Sequence, residues 1–221
     1  MQAEVIIRQT AIGPYRVNTY LLACAQTKKA VLIDPGGEAE RLIKMVRDEG
    51  VELISILNTH DHADHVLANQ ELQAVFPVPV CMHEADDIFF AAAEVRQKSE
   101  KELGLPAPAP ADIRLTDGQV LEVGGLRLRV IHTPGHTPGS VCFLAAGNLF
   151  TGDTLFVGDV GRTDLTGGSL DTLINSLREK VIVLPEETII WPGHDYGETP
   201  TSTVGREIKE NLYITDFILA G

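Results

Sequence analysis

The sequence predicts a layered α/β (α+β) sandwich, in which helices cover the outer faces of packed β-sheets. Short runs rich in Val, Ile, Leu and Phe recur along most of the chain, and each has the length of a single strand. Between them lie segments in which apolar residues return at helical spacing instead. Strands and amphipathic helices each have one apolar face, and stacking them in layers buries both kinds of face.

Ten apolar runs are interpreted as strands because they are short and rich in β-branched or large apolar residues. No repeat of fixed period accompanies them. In chain order, the predicted strands cover residues 3–8, 18–24, 30–33, 53–57, 78–82, 119–123, 126–132, 141–145, 148–151 and 188–191.

Three segments have the spacing of amphipathic helices. In residues 39–46, apolar side chains lie at i, i+3, i+4 and i+7, and Gly50 follows as a C-terminal stop. Residues 65–76 are predicted to form a second helix. The spacing returns in residues 170–177, where Ser169 is the candidate N-cap.

The segment of residues 84–112 separates two strand-rich halves. Its first part, from Glu84, has an amphipathic helical pattern, whereas residues 104–112, Gly-Leu-Pro-Ala-Pro-Ala-Pro-Ala-Asp, hold too many prolines for a helix or an inner strand. We interpret the Pro-rich part as a rigid surface linker, and the whole segment as an insertion within one domain.

The chain is acidic, with 18 Lys and Arg against 31 Asp and Glu and a net charge of −13. A nucleic-acid-binding protein needs basic groups to neutralise phosphates, so this balance argues against a nucleic-acid partner and favours a small-molecule one. No apolar run approaches the ~18 residues of a membrane span, and no export signal is visible. With Met1 as the native start, we expect a cytoplasmic protein with no membrane partner. The sequence does not determine the oligomeric state.

The cysteines agree with a reducing compartment. Cys24, Cys81 and Cys142 each lie alone in or beside an apolar run. Their spacing suits neither a disulfide framework nor a zinc knot, and we expect them to be small buried side chains.

Residues 59–65 read Thr-His-Asp-His-Ala-Asp-His and directly follow a predicted strand, so they occupy the loop between that strand and a helix. Side chains from this loop and from the first helical turn can converge. Histidines crowded beside carboxylates have no packing role, whereas neutral imidazole is the commonest metal ligand. The candidate ligands here are His60, His62, Asp64 and His65.

Three later motifs repeat this placement. His136 lies in Thr-Pro-Gly-His-Thr-Pro-Gly-Ser, Asp153 in Thr-Gly-Asp-Thr, and His194 in Trp-Pro-Gly-His-Asp-Tyr. Each follows an apolar run and is surrounded by Gly and Pro, which is typical of a tight loop at a strand end. Ligands delivered from one edge of a sandwich can meet at a point, so the sequence predicts a metal site there.

With Asp34 in Ile-Asp-Pro-Gly, these motifs resemble those of the metallo-β-lactamase superfamily over most of the chain. The resemblance implies a four-layer αββα sandwich, one domain spanning residues 1–221, with two metal ions between its halves. The expected ions are two zinc ions per chain, with iron or manganese as alternatives. The resemblance assigns site one to His60, His62 and His136, site two to Asp64, His65 and His194, and the bridge to Asp153.

In such a site, two ions about 3.5–4 Å apart hold a bridging hydroxide, because zinc lowers the pKa of bound water to about 7. The hydroxide is expected to attack a carbonyl that one ion polarises, while the other ion accepts a leaving thiolate. The expected catalytic residues are Asp153, which bridges the ions, and Asp64, a candidate proton acceptor.

The stretch from Gly152 to Leu165 resembles the glyoxalase II branch, thioesterases that hydrolyse S-D-lactoylglutathione. Arg162 stands where that branch has a substrate-contacting Lys and can keep the anion contact, whereas Asp164 stands where the branch has Tyr. Tyr196 is the second candidate substrate contact, and only 25 residues follow it in place of the branch's helical C-terminal domain. The chain thus resembles the short glyoxalase II-like (hydroxyacylglutathione hydrolase-like) group, which implies a metal-dependent thioesterase acting on S-D-lactoylglutathione or a related acyl-glutathione.

Other functions remain as alternatives. Persulfide dioxygenases share the Gly-Arg-Thr-Asp stretch and hold one iron on the equivalents of His60, His136 and Asp153, leaving positions open for O2. A lactonase, another hydrolase or a non-catalytic metal-binding module are lesser alternatives, the last disfavoured because all candidate ligands are present. One major class of true β-lactamases has Cys in place of Asp153 and is exported, so antibiotic hydrolysis is not expected as the native role.

The remaining polar residues near the motifs have structural interpretations. We expect His132 to pack at a strand end, and His83 to do the same or to hydrogen-bond a ligand. Asp61 is expected to orient His65 or to be solvated. Trp191 is expected to pack beneath His194.

Overall fold

The computed structural model describes residues 4–220, whose strands form two sheets of six strands each. In the first sheet the strands lie side by side in chain order; β1, β2 and β3 are antiparallel, and β3, β4, β5 and β6 are parallel. Its strands are β1 Val5–Ile12, β2 Val17–Cys24, β3 Lys29–Ile33, β4 Glu52–Leu57, β5 Val80–His83 and β6 Ile113–Leu115.

The second sheet is also ordered along the chain and is antiparallel except between β10 and β11, which are parallel. Its strands are β7 Val120–Val123, β8 Leu126–His132, β9 Val141–Ala145, β10 Asn148–Gly152, β11 Ile189–Pro192 and β12 Ser202–Thr203.

Helices flank both sheets, and none in the described part of the chain is long and apolar enough to cross a membrane. π-helical turns follow α6 at Leu177–Val181 and α8 at Thr215–Leu219. The helices are α1 Ala39–Asp48, α2 Ala63–Val66, α3 Asn69–Val75, α4 Glu84–Phe89, α5 Ala93–Leu103, α6 Leu170–Ser176, α7 Val204–Glu210 and α8 Leu212–Ile214.

Three apolar clusters hold these elements together. The sheets pack face to face through large side chains such as Tyr20 and Phe143. On the outer face of the first sheet, Leu42 of α1 packs in the same cluster as Leu32, and on the outer face of the second sheet, Leu173 of α6 packs with Leu149 and its neighbours. The layers therefore run helix, sheet, sheet, helix, which confirms the predicted αββα sandwich.

All ten predicted strands are present, with ends that differ by a few residues. The first was predicted from residue 3, which lies outside the described residues, and it extends further, to Ile12. The predictions missed β6 and β12, because runs of three and two residues carry no periodicity. They also missed α7 and α8. The three cysteines are buried and unpaired, as expected.

Two helix boundaries confirm the sequence signals. Gly50 has φ +61°, the left-handed conformation of a residue just past a helix end. The Ser169 hydroxyl accepts a hydrogen bond from the Thr172 amide at the start of α6. The predicted helix over 65–76 was wrong as one element, because the Ala68 amide donates to the Pro35 carbonyl, which ends α2 before α3 begins.

Residues 84–112 consist of a helical part and a Pro-rich part, as expected. The helical part consists of two helices, α4 and α5. The Pro-rich part is irregular as predicted, but it is held in place, since the Ala111 amide donates to the Asp87 carboxylate at 2.9 Å. The end of α5 also lines the cleft described below, so the segment contributes to the functional part of the molecule.

Candidate metal centre

The seven candidate ligands lie in loops that follow the carboxyl ends of β4, β8, β10 and β11. Six of the seven candidate ligands are buried. The seventh, Asp153, has a side chain that is 11% exposed. His62 is the residue before α2, with extended backbone, so Asp64 and His65 come from the first turn of that helix. The four loops therefore bring together all the side chains that the motifs predicted as ligands.

The first group consists of His60, His62 and His136. Nε2 of His136 lies 3.2 Å from Nε2 of His60 and 2.9 Å from Nδ1 of His62. One nitrogen from each ring lies within 4.8 Å of the others, so the three can surround one ion.

The second group consists of Asp64, His65 and His194, and Asp153 lies between the groups. Asp153 Oδ1 is 3.3 Å from Nε2 of His65, and its Oδ2 is 3.5 Å from Nε2 of His194 and 3.6 Å from Nε2 of His136. Asp64 Oδ2 lies 3.6 Å from the same nitrogen of His194. Asp153 therefore faces both groups.

Hydrogen bonds on the far side of four rings determine which nitrogen faces the centre. His136 Nδ1 donates to the Arg162 carbonyl at 2.7 Å, and His194 Nδ1 donates to the Tyr15 carbonyl at 3.1 Å. A ring that donates outward through one nitrogen presents a lone pair at the other. The far-side contacts of the other two rings are His60 Nδ1 to Thr59 Oγ1, 3.0 Å, and His65 Nδ1 to Asp34 Oδ2, 3.0 Å.

This arrangement fits a metal cation. Thr59 Oγ1 donates to Asp34, so it accepts from His60 Nδ1, and the inward nitrogens of His60 and His136 both carry lone pairs at 3.2 Å. Two such lone pairs repel one another unless a cation or a proton lies between them. His65 Nε2 and Asp153 Oδ1 are buried 3.3 Å apart, and neither makes a well-aligned hydrogen bond with any described residue. Imidazole and carboxylate donors form a set that suits zinc or iron.

The protonation states of the first group and of Asp153 agree with this interpretation. Burial, followed by the neighbouring His136, lowers the pKa of His62 to about 3, and burial lowers the pKa of His60 and His136 as well. Burial opposes ionisation of Asp153, but the surrounding histidines outweigh it and hold the pKa of its carboxyl well below the usual range. In the first group, neutral imidazoles beside an ionised carboxylate are the forms that bind metal. Burial also lowers the pKa of His65, but the neighbouring carboxylates, Asp153 foremost, outweigh burial and raise it well above the usual range, so metal binding at His65 must release a proton.

A small cleft of about 120 Å³ that is open to solvent lies above the two groups. The Tyr196 ring stacks on His194 with centroids 5.0 Å apart and is 66% exposed. Arg162 lines the cleft, and its guanidinium makes a bidentate pair with Asp164 at 2.7 and 2.9 Å. Both predicted substrate contacts therefore lie at the cleft, and Arg162 already has an anionic partner there.

His83 and His132 pack at strand ends, as expected, whereas the expectations for Asp61 and Trp191 are corrected. His83 and His132 stack on each other, with centroids 3.9 Å apart, and the His132 ring donates to the Pro138 carbonyl. Asp61 is buried beside Asp86 instead of being solvated or hydrogen-bonded to His65. Trp191 packs against Tyr20 and Phe150 between the sheets rather than beneath His194.

Sequence reasoning missed four residues around the centre. Thr59 and Tyr15 hold histidine rings, Glu102 lines the cleft, and Asp86 accepts hydrogen bonds from two of the ligand loops. Only Thr59 carried a local signal, because it directly precedes His60 in the motif.

The sequence profile described as the metallo-beta-lactamase superfamily matches residues 12–194, the range that holds all the candidate ligands. The chain belongs to the metallo-β-lactamase superfamily. Within that superfamily, hydroxyacylglutathione hydrolase GloC of Haemophilus influenzae is 37% identical over 193 residues, 85% of this chain and 88% of GloC. Persulfide dioxygenase ETHE1 of Bos taurus is 33% identical over 216 residues, 96% of this chain and 77% of ETHE1. The probable polyketide biosynthesis zinc-dependent hydrolase BaeB of Bacillus velezensis is 32% identical over 194 residues, 88% of this chain and 80% of BaeB.

Solved structures of superfamily members are similar over nearly the whole chain. The B3 metallo-β-lactamase BLEG-1 has a TM-score of 0.85 at 36% identity, covering 95% of this chain and 100% of BLEG-1. ETHE1 from Myxococcus xanthus has a TM-score of 0.79 at 31% identity, with 93% and 83% covered. TTHA1623, in a di-iron-bound form, has a TM-score of 0.77 at 35% identity, with 92% and 98% covered.

Proposed function

We propose that this chain is a dinuclear metallo-hydrolase that cleaves a thioester, S-D-lactoylglutathione or a related acyl-glutathione. The observation that carries the proposal is the shared position of Asp153, within 3.6 Å of His136 on one side and 3.5 Å of His194 on the other. A carboxylate facing two separate groups of donors favours two ions over one. The 37% identity to GloC supports the substrate class.

The proposed ions are two zinc ions, one at His60, His62 and His136 and the other at Asp64, His65 and His194, with Asp153 between them. When bound, such ions would supply an activated water and polarise the carbonyl of the thioester. The name of BaeB supports zinc and the di-iron form of TTHA1623 supports iron as an alternative.

The chain's own residues would bind and orient the substrate. Tyr196, stacked on His194, offers an exposed ring at the cleft, and Arg162 offers the guanidinium for a substrate carboxylate. Asp64 lies beside His65 and His194. Burial alone would raise the pKa of the Asp64 carboxyl, but these two histidines outweigh burial and lower that pKa. We therefore assign Asp64 to ligand binding rather than to proton transfer, which revises the expected catalytic role.

A second candidate is a mononuclear iron dioxygenase acting on a persulfide. It is favoured by the 33% identity to ETHE1 of Bos taurus and by the contacts among His60, His136 and Asp153, a two-histidine, one-carboxylate set. Such an enzyme has no need of the second group, which this chain nevertheless buries at the same cleft. The second group is the reason for preferring hydrolysis.

One preparation can separate the candidates. The chain is stripped of metal, loaded with zinc or with ferrous iron, and analysed for bound metal. Thiol release from S-D-lactoylglutathione is followed with a chromogenic disulfide, oxygen uptake with glutathione persulfide, and β-lactam hydrolysis with a chromogenic cephalosporin. We expect thiol release by the zinc-loaded form with two ions per chain. Oxygen uptake without thioester cleavage, or cephalosporin hydrolysis alone, would overturn the proposal.

A matched pair of variants sharpens this test. His194→Ala removes a ligand of the second group only. His60→Ala removes a ligand that both candidate enzymes need. A dinuclear hydrolase loses thiol release in both variants. A dioxygenase keeps oxygen uptake in His194→Ala and loses it in His60→Ala.

A further inference from the structure

Asp86, in the first turn of α4, is fully buried and lies outside every motif that identified the metal centre. Its carboxylate accepts three hydrogen bonds. Oδ2 accepts from the Asp61 amide at 3.0 Å and from the Thr137 hydroxyl at 2.7 Å, and Oδ1 accepts from the Gly139 amide at 2.5 Å. All the donors belong to the two loops that carry the first group of histidines.

The position of these donors along the chain is specific. Asp61 lies between His60 and His62, and Thr137 directly follows His136. Each histidine of the first group is therefore one residue away from a group that Asp86 holds. The second group is held by other partners, since His65 contacts Asp34 and His194 contacts the Tyr15 carbonyl.

We propose that Asp86 is a positioning residue that sets the spacing of His60, His62 and His136 and thereby the metal affinity of the first site. The inference rests on the proposed metal centre. Two loops that are remote in sequence converge on one carboxylate, and that carboxylate comes from a helix that neither loop belongs to. Removing it would leave buried donors unpaired and free the loops to separate.

Gly139 supports the same inference from the packing. A Cβ added at Gly139 would lie 2.4 Å from the Asp86 amide nitrogen and 2.7 Å from its Cγ, so a side chain there would displace the carboxylate or the loop. The loop thus approaches Asp86 as closely as its backbone allows. Gly139→Ala should mimic the loss of Asp86 without removing any charge.

Asp87 provides a matched control on the same helical turn. Its side chain is buried and also accepts hydrogen bonds, from the Ala111 amide at 2.9 Å and from Arg114 at 2.7 Å. These partners belong to the Pro-rich segment and to β6, away from both ligand loops. Asp87→Ala therefore removes a buried carboxylate and its charge from the same turn but keeps every hydrogen bond between Asp86 and the ligand loops.

The test compares zinc binding by competition with a chromophoric chelator in wild type, Asp86→Ala, Gly139→Ala and Asp87→Ala. His62→Ala and His194→Ala identify which binding step belongs to which site. We expect Asp86→Ala and Gly139→Ala to weaken the step that His62→Ala abolishes, by about 10–100-fold, and to leave the other step unchanged. Asp87→Ala should bind both ions as wild type does.

A second readout needs no metal. In the metal-free chain, hydrogen exchange of the Asp61 and Gly139 amides should accelerate in Asp86→Ala but not in Asp87→Ala. Unchanged exchange, unchanged zinc affinity, or equal losses in Asp86→Ala and Asp87→Ala would overturn the inference. A zinc-loaded wild type that binds two ions but cleaves no thioester would overturn the proposed function and leave this inference standing.

Discussion

Asp34 and His65 are joined by a hydrogen bond of 3.0 Å between the aspartate Oδ2 and the imidazole Nδ1. The same oxygen accepts from the Thr59 hydroxyl at 2.7 Å, and that hydroxyl lies 3.0 Å from Nδ1 of His60. One buried carboxylate therefore orients a histidine of each group, one directly and one through a threonine. Asp34 holds this position with φ +51°, a left-handed conformation that Asp adopts more readily than most residues.

We expect Asp34→Ala to weaken both zinc-binding steps, because it removes the outward partner of His65 and of Thr59. Loss of such a partner costs about 10–100-fold in metal affinity. Thr59→Val keeps the shape of the side chain but removes the hydroxyl, so it should weaken only the step that includes His60. Zinc titration against a chelator measures both steps. An Asp34→Ala variant with one normal and one weakened step would contradict the double role.

Asp153→Ala is expected to weaken both metal sites and to lower thioester turnover by more than about 100-fold, the upper end of what an outer partner contributes. The reason is that Asp153 faces His136 and His194 at once. Asp87→Ala serves as the control, since the hydrogen bonds of Asp87 go to Ala111 and Arg114 and to no candidate ligand among the described residues. Metal content and turnover are measured on both. Near-normal turnover in Asp153→Ala would disprove the ligand assignment.

The sequence predicted the sandwich and the candidate ligands because both produce patterns among residues that are neighbours in the chain. Residues 59–65 place four donors within six positions, and strands show a period that needs no tertiary information. Asp86 could not be predicted in this way. Its partner Gly139 is 53 residues away along the chain. The local sequence around an aspartate in a helical turn does not distinguish a buried residue from a solvated one.

The helix prediction over residues 65–76 was wrong because of a tertiary contact. The break after α2 follows from a hydrogen bond between Ala68 and Pro35, two residues from different elements. Residues 84–112 have the composition of a surface insertion, yet Asp86, Asp87 and Glu102 are all engaged by distant partners. Tertiary contacts, rather than propensity, decide these segments.

The stacked pair of His83 and His132 predicts a pH-dependent stability. Burial, then the neighbouring His132, lowers the pKa of His83 to about 4, while Asp117 opposes this shift and Lys180 adds to it. His83 Nδ1 accepts from the Ala85 amide at the start of α4, which only an unprotonated nitrogen can do. Protonation therefore removes a helix cap as well as placing a charge beside a second ring.

The direction in which stability changes with pH follows from proton binding at His83. Between the ordinary pKa of 6.5 and the folded value of about 4, the unfolded chain binds a proton at His83 that the folded chain does not. The contribution of neutral His83 to the free energy of unfolding is therefore complete above pH 6.5. It falls as the pH drops toward 4, by about 1–2 kcal/mol once solvent screening is allowed for. His83→Asn keeps a capping acceptor but does not titrate. Urea unfolding of the metal-free proteins should show a smaller loss in His83→Asn than in wild type, and equal losses would contradict this origin.

The last prediction concerns how Arg162 meets the substrate. Its guanidinium is exposed at the cleft but bound at Nε and Nη2 by Asp164, and this pairing lowers the pKa of the Asp164 carboxyl to about 2, so the partner is charged at neutral pH. A substrate carboxylate must therefore displace or share Asp164. Arg162→Ala should raise KM for S-D-lactoylglutathione more than it lowers kcat, because the contact exists equally in the ground and transition states.

Asp164→Asn tests the competition directly. It frees the guanidinium while nearly preserving the size of the side chain, so KM for an acyl-glutathione should fall by about two- to fivefold, the modest effect expected of an exposed ion pair. A thioester without carboxylates should show no change, and Arg162→Ala combined with Asp164→Asn should behave as Arg162→Ala alone. Steady-state thiol release measures all three variants. If Asp164→Asn instead raises KM, Asp164 holds Arg162 in position for the substrate rather than competing with it, and the exposed pair is part of the binding site.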